Sequence, residues 1–149
     1  MQMLACSRQA VLLALMLAAA CLSPTDPFDD IDVTIAVAPT VVRLDAPVTV
    51  AVSVINSSPR MFFLSTNPCP VRFEVATRTG MVVGPALQIC ALIAMPSRGL
   101  APGERFVFTA SWDGRGREGP LPVGEYRIRG VPFGRSGPHG TPVVVTLQE

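Results

Sequence analysis

The sequence predicts an all-β fold, an antiparallel β-sandwich of about seven to eight short strands, on three observations. Several segments alternate apolar with polar side chains, the period of two that gives a strand one inner face. Fifteen prolines and 12 glycines spread along the 149 residues separate those segments with turns and leave no helical period of useful length. No internal repeat of about 20–50 residues is present, which argues against a propeller or a solenoid.

The elements follow in order. Asp32 to Val37 alternates Val33, Ile35 and Val37 with Thr34 and Ala36, and Pro39 stops it. A short continuation, Val41 to Leu44, is placed to switch to the other sheet. Val48, Val50, Val52 and Val54 alternate with Thr49, Ala51 and Ser53 in the clearest strand of the chain. Asn56-Ser57-Ser58-Pro59 ends it with turn residues, and the glycosylation sequon within it reads as the same turn chemistry. Met61 to Leu64 is a short apolar strand, and Ser65 to Pro70 a loop holding Cys69. Val71, Phe73 and Val75 alternate with Arg72, Glu74 and Ala76 before a turn at Thr79-Gly80. Leu87 to Met95 is an apolar run with no clean period, read as a buried strand in preference to a short helix, with a surface patch as the further alternative. Gly130 to Pro142 is a Gly/Pro-rich loop, and Thr141 to Leu147 closes the fold with Val143, Val145 and Leu147 on one face.

The stretch Leu100 to Gly130 carries the most specific signals. Ala101-Pro102-Gly103-Glu104 has the residue choice of a type II turn, Pro second and Gly third. Phe106, Phe108, Ala110 and Trp112 then form an aromatic inner face opposite Arg105, Val107, Thr109 and Ser111. The loop Asp113 to Pro120 follows, with Asp113, Arg115, Arg117 and Glu118 as candidate interaction residues. Leu121-Pro122-Val123-Gly124 is a turn of type I composition, and Tyr126 comes two residues after Gly124. This placement resembles the tyrosine corner of immunoglobulin-like sandwiches, which implies a hydroxyl bonded to backbone upstream.

The N-terminus reads as an export segment. Arg8 supplies a positive region, Ala10 to Ala20 an apolar one, and Ala18-Ala19-Ala20 a small-residue cleavage site, so residues 1–20 are expected to be a signal peptide. Leu17-Ala18-Ala19-Ala20-Cys21 resembles the lipobox of bacterial lipoproteins, with Ala18 where Leu is commoner. The resemblance implies that Cys21 carries a thioether-linked lipid and becomes the acylated, palmitate-bearing N-terminus. Leu22 in place of Asp implies, by the same resemblance, release from the inner membrane where an outer one exists. An extracytoplasmic protein, lipid-anchored to the cell membrane or outer membrane, is therefore expected. Residues 21–30, the acylated Cys and then two prolines and three Asp without apolar period, form a tether, and residues 31–149 the domain.

Cys6 falls in the signal segment, so Cys69 and Cys90 remain, and an oxidising location makes a disulfide between them the expectation. Removing residues 1–20 takes away Arg8 and leaves 11 arginines, no lysine, and 11 carboxylates. That neutral balance without a basic run argues against nucleic acid as a partner and against polybasic membrane binding. Metal is disfavoured because structural zinc needs four ligands and the single histidine, His139, lies far from either cysteine. His139 itself reads as a solvated loop residue, without a nucleophile or carboxylate nearby to make it a general base. Asp29, Asp30 and Asp32 lack the Gly turn and terminal Glu of a calcium loop and read as acidic tether. Arg127 and Arg129 share a face with Glu125 and read as solvated surface; Trp112, in register with Phe106 and Phe108, reads as core. No phosphate loop, nucleophile elbow or paired carboxylates appear, so neither catalysis nor a cofactor is expected.

Val50 to Asn56, Phe73-Glu74-Val75, Gly80, Leu100 to Glu104, Trp112-Asp113-Gly114 and Leu121 to Tyr126 resemble, in order and spacing, the BsuPI-type domain. That family is named for an intracellular bacillar proteinase inhibitor, and the resemblance implies an immunoglobulin-like sandwich. Val71-Arg72-Phe73 stands where the family has Tyr-Asp-Phe, and the family's mid-domain Trp is replaced by the segment ending in Cys90. The function expected is a non-catalytic, lipid-anchored binding module that meets another cell-envelope protein through loops or strand edges. The alternative is a proteinase inhibitor acting through a rigid loop, either around Pro70 or from Asp113 to Pro120.

Overall fold

The computed structural model describes residues 28–44, 46–67, 69, 71–86, 88, 90, 96–134 and 136–149. The export segment, Cys21 and most of the tether lie outside the described residues, as does the Leu87 to Met95 run apart from Gln88 and Cys90.

The chain begins with β1 (Ile31–Ala38), β2 (Val41–Arg43) and β3 (Val48–Asn56), then β4 (Phe62–Ser65), β5 (Phe73–Thr77) and β6 (Val82–Gly84). It continues through β7 (Ser97–Leu100), β8 (Arg105–Trp112), β9 (Arg115–Gly116), β10 (Gly119–Pro120), β11 (Gly124–Gly130) and β12 (Val143–Gln148). Two sheets form the sandwich, one in the order β1-β3-β8 and the other β2-β12-β11-β5-β6, with small ribbons β4-β7 and β9-β10. Among the described residues all pairings are antiparallel except β2 with β12. After Pro39 the chain leaves one sheet and joins the other, the switch expected of Val41 to Leu44; Thr146 N–H donates to the Thr40 carbonyl at the crossing.

The alternation read from the sequence fills the core. Val48, Val50, Val52 and Val54 are buried, as are Phe108 and Trp112 facing Phe73, Val75, Tyr126, Ile128, Val145 and Leu147. Burying a side chain of this size stabilises by roughly 1.5–3 kcal/mol, an upper figure because the unfolded chain already hides some of it. Between the sheets, β11 crosses so close to β3 that a Cβ on Gly130 would lie 2.8 Å from Val52 Cγ1. At the other end the rings of Trp112 and Tyr126 meet edge to face at 6.4 Å.

Several expectations change. The strand expected from Val71 begins at Phe73, because Arg72 turns its guanidinium onto the carbonyls of Asn67 and Pro132. The tether expected through residue 30 overlaps the fold: Phe28 packs against Phe62 and Phe133, Ile31 N–H donates to the Phe28 carbonyl, and Ser57 N–H donates to that of Asp30. Among the described residues 12 strands are found against the seven or eight expected, because β6, β7, β9 and β10 are two to four residues long and lack apolar alternation.

Ile31 pairs with Asn56 at one end of β1 while Ala38 pairs with Thr49, beside Ser111, at the other. Phe28 and the Asp113–Pro120 loop therefore occupy opposite poles of the sandwich.

Candidate functional site

Each sheet has two outer strands, and the four differ. β2 is only three residues long. β6 is equally short, its pairing with β5 is irregular at Val75/Ala76, and Arg117 N–H donates to the Val83 carbonyl. β1 is met by backbone at Gly140, where an added Cβ would stand 3.3 Å from Val33 O and from the Thr34 carbonyl carbon. β8 is eight residues long and in unbroken register with β3 from Arg105 to Trp112. Among the described residues no backbone hydrogen bond reaches its outer side. From Phe106 to Trp112 it carries no charge and no proline, the devices by which edges are normally protected.

Side chains support this edge from one flank. The guanidinium of Arg98 lies 5.8 Å over the Phe106 ring and that of Arg72 lies 5.3 Å over the Phe108 ring. Arg72, its pKa lowered by desolvation, thus staples the loop holding Asn67, the turn at Pro132 and β8 together. At the Ala101–Glu104 turn, Glu104 accepts the Ala101 N–H and pairs with Arg98, which depresses its carboxyl pKa, and Gly103 adopts φ +76° as a type II turn requires.

Beneath that turn sits Asn56, fully buried. Its Nδ2 donates to the carbonyls of Arg60 (2.7 Å) and Leu100 (2.8 Å), and its Oδ1 accepts Ser58 N–H and Oγ–H. The turn role expected of Asn56 holds, and its amide also joins three segments.

The Asp113–Pro120 loop closes into a hairpin, with Gly119 opposite Gly116. Trp112 Nε1 donates to the Arg115 carbonyl, Asp113 accepts the Arg115 N–H and pairs with its side chain at 3.3 Å, and Leu121 N–H donates to the Gly114 carbonyl. A Cβ on Gly116 would lie 2.6 Å from Val83 O, so the hairpin is seated on β6. Arg117 and Glu118 stand exposed at its tip. Next to it Tyr126 donates its hydroxyl to the Pro122 carbonyl at 2.7 Å, the bond of a tyrosine corner, and desolvation raises its pKa. Gly124 precedes it at φ +156°.

Cys69 and Cys90 are joined in a disulfide with Cα atoms 5.7 Å apart. Arg129 pairs with the buried Glu74 at 2.9 Å and Glu125 with Arg78 at 3.4 Å, so that arginine face is partly committed within the fold. His139 is half-buried rather than solvated, in the loop that crosses β1. Trp112 is core, 2% exposed. Among the described residues no three His, Cys, Asp or Glu side chains gather to hold a metal ion.

No protein-family model and no curated protein matches the chain. Among solved structures, the CARDB domain of the PF1109 protein from Pyrococcus furiosus, solved in complex with di-metal ions, is similar. The match covers 83% of this chain and 96% of that one, at 19% identity and a TM-score of 0.46.

Proposed function

We propose that this chain is a non-enzymatic, lipid-anchored module of the bacterial cell envelope that takes an extended segment of a partner protein onto the outer side of β8. The observation that carries it is the contrast among the four outer strands: among the described residues only β1 and β8 are long, and of these β1 is approached by the backbone at Gly140. An added strand satisfies backbone donors and acceptors and gains specificity from alternate side chains. The lipobox-like run Leu17 to Cys21 supports the envelope assignment, and the test of acylation at Cys21 is palmitate labelling that disappears in Cys21→Ser; an unlabelled parent chain overturns it.

The edge is tested by a photo-crosslinking residue at Val107, on β8, against one at Val144, exposed on the opposite sheet. Adducts at Val107 alone, lost on Thr109→Lys, are expected; the same adducts from both positions refute the assignment. A second function rests on the seated hairpin, whose rigid tip at Arg117 and Glu118 fits a loop that occupies a proteinase without being rearranged. A protease panel showing no inhibition at micromolar concentration removes it.

A further inference from the structure

The large apolar side chains left in solvent are mostly scattered, but two stand together. Met61 and Phe63, 55% and 71% exposed, lie side by side over Gly99, where a Cβ would fall 2.9 Å from Met61 Sδ and 3.5 Å from Phe63 Cε1. The missing side chain at Gly99 lets both lie flat on the outer surface of the β4-β7 ribbon. Phe63 also borders a cleft of about 370 Å³ lined by Phe28, Phe62 and Phe133. Phe28 is where the described fold begins, its ring 4.7 Å from that of Phe133.

We propose that Met61 and Phe63 are the surface on which the domain rests against the lipid bilayer, at the boundary of headgroups and acyl chains. The proposal builds on the assignment of Cys21 as the anchor. Only residues 22–27 separate Cys21 from Phe28, and seven steps of about 3.5 Å reach no more than roughly 25 Å. The anchor therefore holds the Phe28 pole near the bilayer, and the apolar ledge belongs to that pole. Burial of such a ledge is favourable in proportion to the apolar area removed from water. The exposed charges in neighbouring segments are of both signs, Arg60 and Arg98 with Asp29 and Asp30. The attraction is thus apolar and suits a zwitterionic surface. Val123, 57% exposed, lies beside the hairpin at the opposite pole and serves as the control.

The test couples the oxidised chain, starting at Cys21, through that thiol to maleimide-headgroup lipid in phosphatidylcholine vesicles whose acyl chains carry bromine. Cys69 and Cys90 are held in their disulfide and do not react. Indole fluorescence is read for Phe63→Trp and Val123→Trp, each corrected for Trp112 of the parent chain. Quenching at position 63 at least about threefold above that at position 123, with a blue shift, is expected for a side chain at the acyl boundary. Equal quenching at the two positions, or none at either, overturns the proposal. Because the coupling supplies the anchor chemically, this outcome is independent of whether the cell acylates Cys21, which palmitate labelling decides.

Discussion

Replacing Asn56 with Ala removes two donated and two accepted hydrogen bonds, of which the one to Leu100 is closed to water. Leu100 is fully buried, so water cannot replace the donor its carbonyl loses, and an unsatisfied buried group costs about 1–3 kcal/mol. Arg60 and Ser58 are more exposed, and their lost bonds add about 1 kcal/mol between them because solvent substitutes. The expected loss is therefore about 2–4 kcal/mol, a large part of the stability of a domain of this size. Urea unfolding of the oxidised chain, followed by the fluorescence of its single Trp, measures it. With a slope of about 1.5 kcal/mol/M, a 3 kcal/mol loss lowers the midpoint by about 2 M. Asn56→Asp adds a sign test. Burial raises that carboxyl's folded pKa above its unfolded value of about 3.9, so its charge is disfavoured in the fold and the deficit against the parent grows as pH rises. A midpoint shift below about 0.5 M for Asn56→Ala, or a pH-independent deficit for Asn56→Asp, refutes the assignment of the amide as a buried hub.

Three further outcomes are expected. Tyr126→Phe loses about 0.5–1.5 kcal/mol with the Pro122 bond. Because the folded pKa of Tyr126 is raised, the parent's contribution is present below about pH 10 and lost as pH rises through the folded value. The chain has one tyrosine, so tyrosinate absorbance reports it alone, and titration at the unperturbed value refutes the burial. Glu104 has a depressed folded pKa, so its contribution is present above about pH 4.3 and lost as pH falls through the folded value. Glu104→Gln should therefore flatten the acid limb of stability against pH, and an unchanged limb counts against the Arg98 and Ala101 contacts. Reducing the Cys69–Cys90 bond, with a sequence separation of 21, should cost about 3 kcal/mol in the chain-entropy description, read as a lower urea midpoint.

What the sequence disclosed were the elements whose two faces differ. Val48 to Val54 and Phe106 to Trp112 alternate because one side meets the core, and Tyr126 follows its corner at a spacing set by local geometry. Hidden were features that depend on distant segments. Ser97-Arg98-Gly99-Leu100 has no alternation and becomes a strand through its partner Phe62–Ser65. Glu74 is buried because Arg129, 55 positions away, meets it. Phe28, a lone aromatic among Asp and Pro, gave little sign of packing on Phe62 and Phe133. That β8 is an outer strand follows only from the strand order, which no local pattern encodes.

The three-stranded sheet has a mechanical consequence. β1 continues from the proposed anchor, β3 lies between, and β8 carries the proposed docking edge, all in one sheet. Tension between a membrane and a partner strand bound along β8 would run along the strand axes. The eight residue pairs joining β1 to β3, and the eight joining β3 to β8, would then bear load together in shear instead of opening one at a time. Such a sheet would carry force from the proposed anchor to the proposed partner through β1, β3 and β8.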